Sequence, residues 1–174
     1  MSDIPKSKRA WSKLEALDKA ITIRGELSRE LLISFGLSEK HIDAAVKKAT
    51  KGLQDEEKDI LAAKIREMYA GFIPWFIERH RNRVDDLAGD IEAHIRGANK
   101  IWPVWKFEYD DRRQEWNEAL KACDRLQGEL QFIAEQLPAD KNRYKSIVLE
   151  IDDLDKMIKR IRQSDNRFLP HLKA

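Results

Sequence analysis

W-K-F-E-Y, Trp105 to Tyr109, follows Trp102-Pro103 directly and alternates aromatic with charged residues, so its assignment to strand or helix decides the fold class. Alternation with a period of two is a strand signal. A strand this short needs a partner, however, and no second convincing alternating segment exists in the chain. A helix accounts for more of the sequence. Trp105, Tyr109, Arg112 and Trp116 then form one stripe, continued by Ala119, Cys123, Leu126, Leu130, Ile133 and Leu137 at steps of three and four. Pro103 suits the first position of that helix, where its missing N–H has no intrahelical role. Phe107 falls off the stripe, to be covered by other helices or left for a partner.

A second stripe, Tyr144, Ile147, Ile151, Leu154, Ile158 and Ile161, begins just after Pro138-Ala139-Asp140. Two such stripes joined by a short turn predict a long antiparallel helical hairpin. An arm from Val104 to Leu137 is about 50 Å long at the helical rise, more than a compact domain of this size needs, so part of the hairpin is expected to project. The first arm (104–137) carries 5 basic and 8 acidic residues and the second (140–174) carries 9 and 6, balances that suit attraction between antiparallel arms.

Upstream of the hairpin, Ile60, Leu61, Ile65, Met68, Tyr69, Phe72, Ile73 and Phe76 keep a helical period after a capping Asp55. Pro74 predicts a kink or break, and the pattern resumes through Val84, Leu87, Ala88, Ile91, Ile95 and Ala98. A first helix is expected from Ser7 or Ser12 to Arg24, with Trp11 on its apolar face, ending at Gly25. Two short helices follow. Gly36 ends the first, Ser38 caps the second and Gly52 stops it. Three stretches result, 1–53, 54–103 and 104–174, which also fit a single domain of 174 residues. The expected class is all-α: an N-terminal cluster of short helices, a kinked central helix and the C-terminal hairpin.

Composition agrees with a helical chain, 37% charged and 42% hydrophobic with only 7 Gly and 5 Pro. The single Cys123 rules out an internal disulfide and points to a reducing, cytoplasmic setting. No secretory signal is evident at the N-terminus, and the longest apolar run, Met68 to Ile77, is too short to span a membrane.

Motifs for chemistry are sparse. The sequence R-E-L-L-I-S-F-G-L-S-E-K-H-I-D-A-A-V has the outline of a DNA-reading helix-turn-helix, but Leu32 stands where close packing wants a small residue, and Glu39 and Asp43 would face phosphates. Basic clusters at Lys6, Lys8, Arg9 and Lys13, at Lys47, Lys48 and Lys51, and at Arg79, Arg81 and Arg83 are each small. Asp86, Asp90 and His94 align on one helix without the second helix a metal needs, and there is no Gly-rich phosphate loop or nucleophile elbow. Neither metal nor cofactor is expected. The favoured function is that of a non-enzymatic interaction or adaptor protein with a protein partner. Its hairpin and Trp-rich junction would do the binding, with Trp102, Trp105, Phe107 and Tyr109 as anchors. The alternative is a nucleic-acid-binding regulator using Lys40, His41, Lys47, Lys48, Arg79, Arg81 and Arg83. Heptads permit homodimerisation as readily as an intramolecular hairpin.

Overall fold

The computed structural model describes residues 13–140 and 142–173, so Lys6, Lys8, Arg9, Trp11 and Ser12 lie outside the described residues, as does the side chain of Lys13. The chain is all-α. Its helices are α1 (Lys13–Leu32), α2 (Glu39–Ala49), α3 (Asp55–Lys100), α4 (Lys106–Gln136) and α5 (Lys145–Ser164), with short 3-10 segments at Ser34–Gly36 and Asp165–His171. Helices α1, α3, α4 and α5 form a closed four-helix bundle: α3 and α5 each pack on both α1 and α4. One continuous core draws on all four, with Ile23 and Leu27, Leu87 and Ile95, Trp116 and Leu126, and Ile151 and Ile158 nearly fully buried.

The hairpin turn at Pro138–Asp140 is as expected, but the most extensive pairing is α3 with α4. Their antiparallel register is read from cross-helix partners. Arg112 meets Ala98, Glu115 meets His94, Glu129 meets His80 and Phe132 meets Phe76. Continued, this register places the end of α4 beside Ile73. The projecting element is therefore the start of α3, residues 55–72, about 27 Å long, rather than the C-terminal hairpin. Among the described residues, α2 is the element that packs along this arm, through the Asp43–Arg66 ion pair at 2.7 Å and around Ile42 and Tyr69.

Three local expectations need correction. α1 runs through Gly25, because Ala20, Ile23, Leu27 and Leu31 keep a buried stripe on both sides of it. Their burial outweighs the roughly 1 kcal/mol that an interior glycine costs. Of the kink or break anticipated at Pro74, the break does not occur: α3 is one helix of 46 residues, with Ile73, Phe76 and Ile77 buried around the proline. Finally, α4 starts at Lys106, not Pro103, with Trp105 as its extended N-cap, and α3 starts at Asp55 behind the cap Gln54.

A Cβ added at Gly25 meets nothing within 4 Å. Gly25→Ala is therefore expected to raise stability by about 0.5–1 kcal/mol, read as a higher urea midpoint at unchanged slope. A fall in the midpoint would mean that α1 is interrupted there.

The turn between α1 and α2 is unusual. Ser34, Phe35 and Gly36 all have positive φ, at 51°, 57° and 75°. Phe35 is fully buried, its carbonyl accepts a 2.6 Å hydrogen bond from the Tyr144 hydroxyl, and the two rings meet edge to face at 6.4 Å. Beside it, Arg143 and Glu30 form an ion pair that ties the hairpin turn to α1.

Candidate interaction surface

The chain between α3 and α4 is held rigidly by main-chain hydrogen bonds. Glu108 turns back over the start of its own helix, and its carboxylate accepts the N–H groups of Val104 at 2.8 Å and Trp105 at 3.0 Å. Those two donors hold its carboxyl below the usual range. Trp105 also forms a parallel bridge with Lys173: Lys106 N–H donates to the Lys173 carbonyl at 3.0 Å, and Lys173 N–H to the Val104 carbonyl at 2.9 Å. W-K-F-E-Y is thus helical from its second residue, while its first is extended and paired with a segment 68 positions away.

This arrangement leaves three large aromatics in solvent. Trp102 is 64% exposed, Trp105 42% and Phe107 63%. Trp102 meets the edge of Phe168 at 5.1 Å, and the Lys173 ammonium lies 5.3 Å from the Trp105 ring centre. Val104 and Leu169 are also exposed here, so the connection and the C-terminal 3-10 segment share one apolar surface. Sequence inspection missed the C-terminal contribution, because a main-chain bridge to Lys173 leaves no side-chain signature. Tyr109 does not belong to the surface: it is buried, donating to Asn166 Oδ1 at 2.9 Å and accepting from Arg113 at 3.0 Å. The reason is rotational, since Tyr109 lies about 200° around the helix from Phe107.

Beneath this surface the C-terminal segment is pinned by a buried ion pair. Arg112 Nε donates to Asp165 Oδ2 at 2.6 Å and Nη2 to Oδ1 at 3.2 Å, while Trp116 Nε1 donates to Oδ2 at 2.9 Å. The remaining guanidinium nitrogen serves the carbonyls of Ala98 and Ile101, the latter at 2.8 Å. One side chain therefore joins the ends of α3, α4 and α5.

The basic positions are not brought together. Lys40, Lys47 and Lys48 are exposed on α2, and His41 is occupied with the cap of its own helix, its Nδ1 2.9 Å from Ser38 Oγ. Arg79 and Arg83 border a cleft with His80, Asp86 and Glu129, whereas Arg81 lines a different one beside Leu31 and Leu32. α2 packs on α3 rather than on the end of α1, which departs from a helix-turn-helix, and Leu32 is left exposed.

Reactive groups are committed to packing. His80 and His94 pair through Nδ1 with Glu129 and Glu115 of α4, the second at 2.8 Å. Cys123 is buried, and desolvation pushes its thiol up to about 12. Among the described residues no group of three His, Cys, Asp or Glu side chains is placed to hold a metal, and no helix is long and apolar enough to cross a membrane. A shallow groove lies between α4 and α5, lined by Gln127, Ala134, Val148 and Leu149. Comparison of the chain with protein-family models, with curated proteins and with solved structures finds no match in any of the three.

Proposed function

We propose that the chain is a non-enzymatic interaction protein that docks a protein partner through the aromatic end of its bundle. The supporting observation is the exposure of Trp102, Trp105 and Phe107 on a backbone fixed by the Glu108 cap and the Lys173 bridge. Large aromatics supply most of the energy in protein interfaces, and a rigid presentation lowers the ordering cost of binding. Phe107 carries the reading furthest, because nothing about the helix requires an aromatic there.

Trp102→Ala and Phe107→Ala are each expected to weaken capture of a partner by about 30-fold, an effect of about 2 kcal/mol typical of interface anchors. Their melting temperatures should stay near that of the wild type, because an exposed side chain contributes about 0.5 kcal/mol or less to the fold. Unchanged capture, or a steep loss of stability, would remove this surface from consideration. Duplex binding that falls steeply between about 50 and 200 mM salt and is lost in Lys47→Glu/Lys48→Glu would replace it with the nucleic-acid reading.

A further inference from the structure

The outer face of α3 changes character along its length. At the helical rotation per residue, Ile60, Lys64, Met68, Gly71 and Trp75 fall within one stripe about 80° wide. Ile60 is 70% exposed, Met68 59% and Trp75 56%. Continued past Arg79, the same row becomes Asn82, Asp86, Ala93 and Lys100, which carries no large apolar side chain. The apolar part is confined to the arm and to the first turn beyond it.

No described element covers this stripe. α2 lies on the opposite side of the arm, around Arg66, Tyr69, Ala70 and Ile73. α1 takes the side of Asp85 and Glu92, and α4 that of Phe76 and His80. The ends of the stripe are marked by opposite charges, both exposed. Glu57 precedes it, and Arg79 closes it with its guanidinium 5.8 Å from the centre of the Trp75 ring.

We propose that the Met68 edge of this stripe is the seam of an antiparallel homodimer, in which α3 lies along α3 of a second copy with the two-fold axis at Met68. The positions that face the partner about that axis are Glu57, Leu61, Lys64, Met68, Phe72, Trp75 and Arg79, a row that maps onto itself as a two-fold interface requires, with half-buried Leu61 and Phe72 in it and Ile60 on its flank. Glu57 lies as far before Met68 as Arg79 lies after it, so antiparallel pairing sets Glu57 against the partner's Arg79 at both ends of the seam. The same register sets Leu61 against the partner's Trp75 and Lys64 against the partner's Phe72. A parallel pair would instead oppose Glu57 to itself and Arg79 to itself, so charge selects the antiparallel form. From Glu57 to Arg79 the seam is about 33 Å long. It is remote from the aromatic end, and its success or failure is independent of the partner-docking reading.

The test is made on the full chain by sedimentation and by cross-linking. Wild-type protein is expected to be dimeric at about 100 µM, a concentration at which even a weak specific interface is populated. Met68→Cys should form a disulfide-linked dimer on mild oxidation, since buried Cys123 is not accessible to compete. Ile60→Cys should not, because the two Ile60 positions stand about 24 Å apart in this register. Glu57→Arg should weaken the dimer about tenfold, and Glu57→Arg/Arg79→Glu should restore it to within about threefold of wild type. All of these positions are exposed, so folding is preserved in each variant. A monomer at that concentration, a cross-link through Ile60→Cys but not Met68→Cys, or failure of the double charge reversal to recover association would each overturn the proposal.

Discussion

Asp165→Ala destabilises the fold by about 3–5 kcal/mol, a large part of the roughly 5–15 kcal/mol that holds a typical domain together. The loss exceeds that of a surface ion pair because both side chains are essentially inaccessible, at 1% and 2%. Removing the carboxylate leaves the Arg112 guanidinium desolvated, with main-chain carbonyls and the Trp116 ring as its remaining neighbours, and deprives Trp116 Nε1 of its acceptor. Burial of an unpaired charge, rather than loss of attraction, dominates the cost. Arg112→Met/Asp165→Leu should accordingly be less damaging than either charged group left alone, a coupling that a double-mutant cycle in urea measures directly. A single-substitution loss below about 1 kcal/mol would show that water reaches the pair.

Phe35 is the second site of large effect. Phe35→Ala is expected to cost about 3–5 kcal/mol, because a fully buried ring that meets Tyr144 edge to face leaves a cavity. The backbone adds an unusual sign. At φ 57° an alanine keeps the left-handed penalty, whereas glycine does not, so Phe35→Gly should be as stable as Phe35→Ala or about 1 kcal/mol better. Elsewhere in a chain glycine is the more damaging replacement. Denaturant midpoints of the two variants decide it, and a glycine variant clearly below the alanine variant would mean that the turn relaxes to ordinary φ. The Tyr144 hydroxyl, whose pKa burial raises, donates to the Phe35 carbonyl across this turn, so Tyr144→Phe removes a link without emptying the core.

Much of this architecture was legible in the sequence, and the misses have physical causes. The stripes of α4 and α5 translate directly into buried seams, since every stripe position from Trp116 to Leu137 and from Tyr144 to Ile161 is buried. Periodicity fixes which face of a helix is apolar but not which neighbour covers it. The α3 stripe through Leu87, Ile91 and Ile95 was as good a partner for α4 as the α5 stripe, and α3 takes the larger share. Nor does periodicity report length of cover: Ile60 and Ile91 look equivalent in sequence, yet one is exposed and the other buried, because α4 ends before it can reach the arm. Arg112 carries a signal of its own. An arginine in a stripe bounded by Tyr109 and Trp116 demands a carboxylate, but the second arm offers several and sequence alone does not single out Asp165. At the aromatic end, the burial of Tyr109 was legible from the stripe it shares with Arg112 and Trp116, whereas the exposure of Trp105, on the same stripe, required knowing that α4 starts after it.

Pro74 sits at the root of the arm, where, among the described residues, the last of α4 gives way to α2. Its nitrogen cannot bond to the carbonyl of Ala70, so the ladder is one rung short at the point where support on one side ends. The missing rung lowers bending stiffness there, and the part of α3 that precedes it is a lever hinged at the bundle. A swing of about 10° about Pro74 displaces the tip of an arm about 27 Å long by about 5 Å, close to the rise of one helical turn. The start of α2, lying over Ile73 and Pro74, acts as the strut that limits that swing.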